Sequence, residues 1–196
     1  MSKRIGFDVD GVIRDIYTPL IQEHKRIYPL KYIAPFNQWD YELEKNFQIG
    51  NEIYNLLDEP ETSKSIYLNN ALVYKHMASI INTLFENGNK IIIISRNASQ
   101  NRLMLLMRFI SKYRIYVDEY HIGHTPDFKQ YVQCNVYFED SPIEIMNYVN
   151  RGSPVFVPYR PWNNTLIKNS LIHMYGSTDM LLMEVTNCVN KLGDIL

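Results

Sequence analysis

The chain has 196 residues, 46% of them hydrophobic, enough for one well-buried domain with a small insertion and too few for two large ones. A formal net charge of −1 argues against a strongly basic nucleic-acid binder, and no stable nucleic-acid binding is expected. Two cysteines (Cys134 and Cys188) do not make a disulfide framework, and no run approaches the ~18 apolar residues of a membrane span, so a soluble cytoplasmic protein with no membrane partner is expected.

The first element is the short apolar segment Ile5 to Val9, bounded by a glycine and read as a buried strand. Met1-Ser2-Lys3-Arg4 is followed too soon by Asp8 for a signal-peptide apolar core, and the sequons at Asn97 and Asn163 carry no meaning in that setting. Ile16 to Tyr28 has helical spacing and is stopped by Pro29. From Lys31 to Asn70 aromatic and polar residues alternate irregularly between Pro35 and Pro60, which predicts an insertion of short helices set apart from the main core.

Regularity returns at Ala71, where Leu72, Val73, His76, Met77, Ile80, Ile81, Leu84 and Phe85 predict an amphipathic helix ended by Asn87-Gly88. Lys90 to Ser95 is an unbroken β-branched run, as a parallel strand covered on both faces requires. A helix follows over Ser99 to Tyr113, then a short strand at Glu119 to Gly123, and another at Val136 to Phe138. Pro142 to Val149 reads as a helix with proline in its first turn. Val155 to Val157 reads as the last strand, and Met180 to Leu192 as the closing helix. Strands alternating with helices predict an α/β fold with a doubly wound parallel sheet and a small helical cap inserted after the first strand. The expected division is a core of residues 1–17 and 71–196 and a cap of about 18–70.

In such sheets ligands bind outside the carboxyl ends of the strands. Asp8, Ser95 and Asp140 each lie at or just past such an end, which makes them one candidate site. Two neighbouring carboxylates, Asp8 and Asp10, oppose each other's ionisation unless a cation or a shared proton compensates. Mg²⁺ is the expected cation, because it takes oxygen ligands and usually binds carboxylates together with a substrate phosphate. The bland alternatives are a helix N-cap for Ser95, a surface role for Lys129, and capping of the following helix for Glu139-Asp140-Ser141-Pro142. His121 and His124 lack acidic or cysteine partners at metal spacing and are read as loop or core residues.

Taken together, Asp8-Val9-Asp10-Gly11-Val12, Ser95 closing its strand, Lys129 and Glu139-Asp140 resemble the four ordered motifs of the haloacid dehalogenase superfamily. That resemblance implies a phosphatase with a Rossmannoid core, in which Asp8 is the nucleophile and Asp10 the general acid and base. It implies phosphate contacts from Ser95 and Lys129 and Mg²⁺ held by Asp8, Asp140 and the backbone carbonyl of Asp10. Glu139 would bind the metal directly or through water. Arg96 departs from the small or hydroxyl residue expected after Ser95, and either binds phosphate or points into solvent.

One branch is matched more closely, the 5′(3′)-deoxyribonucleotidases. Asp15 completes an extended first motif, Lys129 stands ten positions before Glu139, and Arg160-Pro161-Trp162-Asn163 follows the strand at Val155. The branch implies a small-molecule phosphomonoester as partner, a deoxyribonucleoside monophosphate above all. Phe36, Trp39, Phe47 and Tyr54 of the cap could offer a face to a base, but most are expected in the cap's own core. Phe36 and Trp39 are favoured for contact because their polar neighbours suggest a partly exposed stretch. A sugar phosphate, a 3′-phosphate at a nucleic-acid end, and a catalytically silent interaction protein are the other readings. Oligomeric state, a homodimer included, is left open by the sequence.

Overall fold

The structure, a computed structural model, describes residues 2–68, 70–96, 100–125, 127–166 and 168–192. Asn97 and Ser99, named above as a sequon and as a helix start, lie outside them. In chain order the regular elements are β1 (Arg4–Phe7), α1 (Tyr17–Ile27), α2 (Ile53–Asp58), α3 (Pro60–Leu68), α4 (Met77–Glu86) and β2 (Lys90–Arg96). Then come α5 (Gln100–Lys112), β3 (Glu119–Gly123), β4 (Val136–Phe138), α6 (Pro142–Asn150), β5 (Val155–Pro158), β6 (Ile172–Tyr175) and α7 (Leu181–Lys191).

The strands form one six-stranded sheet in the order β3-β2-β1-β4-β5-β6, and every pairing is parallel. Alternate residues of the same strands feed opposite faces, which is why their runs are apolar without a break. Ile5, Phe7, Ile91, Ile93, Val136 and Phe138 pack with α4, α5 and α7 on one face. Ile92, Ile94, Tyr137, Val155 and Val157 pack with Ile145, Tyr148 and Val149 of α6 on the other. The chain winds outward from β1 to β3 in one direction and from β4 to β6 in the other. The switch point therefore falls between β1 and β4, where a doubly wound sheet opens a crevice.

Residues between β1 and α4 carry a third apolar cluster, with Leu20, Trp39, Phe47, Ile53, Leu56, Leu57, Ile66 and Tyr67 joined by Leu105 of α5 and by Trp162. Three short 3-10 turns, at Phe36–Gln38, Leu43–Lys45 and Gly50–Glu52, fill the irregular aromatic stretch.

Two expectations need correcting. The helix predicted from Ala71 begins only at Met77. Residues 71–73 are drawn instead to the loop after β1: Asp15 donates its backbone N–H to Ala71, Val73 donates to Ile13, and Leu72 forms a bridge with Arg14. Val155–Pro158 is also not the last strand. β6 adds one more edge, half-buried along most of its length, and its mixed Ile172-His173-Met174-Tyr175 pattern reflects that weaker burial.

Candidate active site

Asp8 follows β1 directly, and its backbone N–H still donates to Phe138 of β4 at 2.9 Å. Pairing thus carries the first acid across the switch point toward the pair that follows β4, Glu139 and Asp140. Oxygens of Asp8, Glu139 and Asp140 lie within 4.8 Å of one another, and all three residues are buried. Lys129, in a short 3-10 turn at Phe128–Tyr131, donates from Nζ to Asp8 Oδ1 and to Glu139 Oε2, both at 2.7 Å. The other Glu139 oxygen accepts from the backbone N–H groups of Asp140 and Ser141 at 3.2 and 3.1 Å. Glu139 thus holds the turn that leads into α6 without capping the helix itself, whose N-cap residue Ser141 makes no side-chain capping bond.

Burial pushes the Asp8 carboxyl well above its ordinary range, and the charges of Glu139 and Asp140 add to the effect while Lys129 opposes it. Asp140 is pushed up to about 7 by burial and by Glu139, against the pull of Arg160 and Lys129. Burial works against the Lys129 ammonium, but Asp8 and Glu139 outweigh it and hold its pKa above the ordinary value. One cation among three buried carboxylates leaves negative charge uncompensated. A hard, oxygen-seeking divalent cation fits this donor set on charge and chemistry.

Several side chains hold the acids in place. Tyr17, the first residue of α1, donates from its hydroxyl to Asp140 Oδ2 at 3.0 Å. Trp162 Nε1 and Asn163 Nδ2 donate to the Asp140 backbone carbonyl at 2.9 and 3.1 Å. Arg160 Nη2 donates to the carbonyl of Gly11 at 2.6 Å, so three residues of the Arg160 to Asn163 segment clamp the loops that carry the acids. Gly11 has φ +86°, and a Cβ there would stand 2.1 Å from Asp140 Oδ2. Only glycine fits that approach.

The acids open onto a cavity of about 290 Å³ lined on the core side by Asp8, Asp10, Tyr17, Ser95, Arg96, Lys129 and Asp140. From the inserted segment come Tyr41, Glu42, Leu43 and Tyr54. Ser95 is buried at the end of β2. Arg96, 46% exposed, reaches the buried Glu144 of α6 at 3.7 Å. Asp10 lines the cavity, but its carboxylate stands apart from the acidic group and pairs with Arg14 at 2.6 Å.

The structure does not bring Phe36 and Trp39 to this cavity. Trp39 is 2% exposed; its indole donates to the Ala34 carbonyl at 2.8 Å, and its ring packs against Tyr17 and Phe47. Phe36 lines a separate hollow with Ile21, Lys25 and Tyr32. Trp39 is packed into the apolar cluster that the insertion shares with α5 and Trp162, so a base cannot reach its faces. Asp15, the end of the extended motif, accepts from the backbone N–H groups of Tyr17 and Thr18 and from the Thr18 hydroxyl, and so caps α1. His121 pairs with Glu119 at 3.0 Å, away from the acidic group. Tyr54, one of the cap aromatics read as able to stack on a base, does line the cavity, whereas Tyr17 and Tyr41 went unread as site residues. Nothing in their spacing separates a cavity tyrosine from a core one, although Tyr17 does follow the first motif closely.

No family model matches the sequence, and no curated protein matches it. Solved structures do share the fold. A predicted phosphatase from Clostridium acetobutylicum aligns with a TM-score of 0.63 at 12% identity over 95% of this chain and 99% of its own. A HAD-superfamily hydrolase from Ehrlichia chaffeensis aligns at 0.51 and 16% identity over 97% of this chain and 100% of its own. CbbY from Rhodobacter sphaeroides, solved in complex with phosphate, aligns at 0.60 and 16% identity over 92% and 96%. The chain has the α/β fold of haloacid dehalogenase-like structures.

Proposed function

We propose that the chain is a Mg²⁺-dependent phosphomonoesterase that hydrolyses nucleoside monophosphates, deoxy forms preferred, through an aspartyl-phosphate on Asp8. The observation that carries this reading is the buried group of Asp8, Glu139, Asp140 and Lys129 at the sheet's switch point, opening onto a cavity that the inserted segment partly roofs. Phosphatases among the structures of the same fold support the reaction class.

Mg²⁺ held by Asp8, Asp140 and Glu139 would neutralise phosphate charge and polarise the phosphoryl oxygens. Asp8 attacks phosphorus, and Lys129, 2.7 Å from its Oδ1, offsets the charge brought together there. Ser95 donates a hydrogen bond to a phosphoryl oxygen. Asp10 protonates the departing alkoxide and then takes a proton from the attacking water. Residues 18–70 act as the cap over a core of 1–17 and 71–196. Tyr41 and Tyr54, not Trp39, offer the aromatic surface for a nucleobase at the cavity mouth. Arg96 adds a second positive charge on the phosphate side.

A panel of nucleoside and sugar monophosphates, assayed with and without Mg²⁺, tests the proposal. Turnover of deoxyribonucleotides only with Mg²⁺ is expected. Turnover confined to sugar phosphates overturns the substrate assignment, and no turnover of any ester overturns the reaction.

A further inference from the structure

Asp10 is held by one partner. Its Oδ1 accepts a 2.6 Å hydrogen bond from Arg14 Nε, and no other hydrogen bond reaches the carboxylate among the described residues. Arg14 is 3% exposed, so its charge is buried beside the cavity rather than at the surface. A buried guanidinium is costly unless it is paired and packed. Here the packing comes from two rings, with the guanidinium carbon 4.6 Å from the centroid of Tyr67 and 5.6 Å from that of Phe109.

Those rings belong to different parts of the molecule. Tyr67 lies on α3 of the inserted segment, and Phe109 on α5 against the sheet. The Arg14 backbone is fixed as well: its N–H donates to Val9, its carbonyl accepts from Gly11, and it forms bridges with Asp10 and Leu72. The whole side chain is thus aimed from a rigid loop through a seam between insertion and core. One guanidinium nitrogen, Nη1, is buried without a partner among the described residues. A purely structural ion pair gains nothing from that loss, and such orphaned groups call for a reason.

We propose that Arg14 is a positioning residue for the reaction, fixing one oxygen of Asp10 so that the other is presented to the leaving-group oxygen in the cavity. The inference rests on the phosphomonoesterase reading of the site. In the first step the Asp8 oxygen bonds to phosphorus, the ester P–O bond breaks, and the Asp10 proton passes to the departing oxygen. In the second, the Asp10 carboxylate takes a proton from water as that water attacks phosphorus, freeing inorganic phosphate and restoring Asp8. Both transfers need the same oxygen at the same place. Because Tyr67 carries part of the guanidinium, the seat of the insertion on the core sets that place.

The test is a comparison of leaving groups of similar shape. p-Nitrophenolate departs without a proton, whereas phenolate, far more basic, needs one. Arg14→Met is expected to lower kcat/KM about 100-fold on phenyl phosphate but less than about 5-fold on p-nitrophenyl phosphate, the size of a lost general acid. Asp10→Asn should show the same split, and adding Arg14→Met to it should widen the split no further. Arg14→Lys, which keeps the charge but not the planar fork, should show a smaller version of the split and guards against misfolding of the methionine variant. Equal losses on the two esters in both Arg14 variants, or no loss, overturn the positioning role. A wild-type protein inactive on both esters and on every nucleoside and sugar monophosphate, or an active Asp8→Asn variant, overturns the reading of the site itself.

Discussion

The indole of Trp162 donates a hydrogen bond of 2.9 Å to the backbone carbonyl of Asp140, and Asn163 donates a second at 3.1 Å. A segment that follows β5 thereby fixes the loop that follows β4, next to it in the sheet. Groups that orient ligating residues typically govern metal affinity about 10- to 100-fold. Trp162→Phe keeps an aromatic ring against Tyr17 while removing the donor and part of the indole's volume. We expect its half-saturating Mg²⁺ concentration to rise about 10-fold while thermal stability without metal falls by about 1 kcal/mol. Titration of activity against Mg²⁺, beside an unfolding curve in chelator, measures both; an unchanged Mg²⁺ titration would separate Trp162 from the metal site.

Crowding of buried acids makes a second prediction, one about stability without metal. Asp140 is buried with Asp8 and Glu139 in a group that one lysine only partly offsets. Asp140→Asn removes one charge while retaining an oxygen that can accept from the Tyr17 hydroxyl. In chelator the variant should be more stable than the wild type by about 1 kcal/mol, because removing a like charge relieves the other two. Added Mg²⁺ should raise the melting temperature of the wild type and not that of the variant. Equal Mg²⁺ stabilisation of both proteins would exclude Asp140 as a ligand.

Gly11 is the backbone counterpart of that crowding. Its left-handed φ of +86° and the 2.1 Å approach to Asp140 Oδ2 leave no room for a methyl group. Gly11→Ala should cost at least about 1–2 kcal/mol from the backbone alone. It should also cost most of the Mg²⁺-dependent activity, because Asp140 has to move. A variant with near-normal activity and stability would show that the loop can shift without consequence. Gly50→Ala is the control, since that glycine also has a positive φ but nothing among the described residues lies within 4 Å of an added Cβ.

These relationships show what a single sequence can carry. β2 and β4 were legible because each is an apolar run with both faces covered, and a run of that kind tolerates few other placements. β6 was not, because an edge strand with partial burial has no such signature. Asp8, Ser95 and the Glu139-Asp140 pair could be read together because each lies at the end of a strand and the sheet brings strand ends together. Lys129 lies on a turn, and only the resemblance of its place in the chain to a family motif drew attention to it. Within the insertion that logic fails. Trp39 looked exposed beside polar neighbours, yet its indole found the Ala34 carbonyl and its faces found Tyr17 and Phe47. Which aromatic fills a small core and which lines a cavity depends on packing between segments distant in sequence. Arg14 was passed over for the same reason: both rings that hold it lie more than fifty residues away along the chain.

The insertion contains a titratable group whose effect on stability has a definite sign. His24 of α1 is fully buried beside Tyr28 and Phe47, with ring centroids 5.5 and 5.0 Å away, and neither ring nitrogen has a hydrogen-bond partner among the described residues. Burial lowers its pKa below the ordinary 6.5, so the folded protein holds it neutral. The unfolded chain binds a proton there more readily. Stability from this residue is therefore complete above about pH 6.5 and is lost as the pH falls through that value toward the lower folded pKa. His24→Leu fills similar space without a titrating group. Denaturant midpoints at roughly pH 7.5 and 5.5 should fall clearly for the wild type and less for the variant, which gains relative stability in acid. A wild-type midpoint that does not fall, or an equal fall in both proteins, would mean that His24 finds a proton-accepting partner when it is charged.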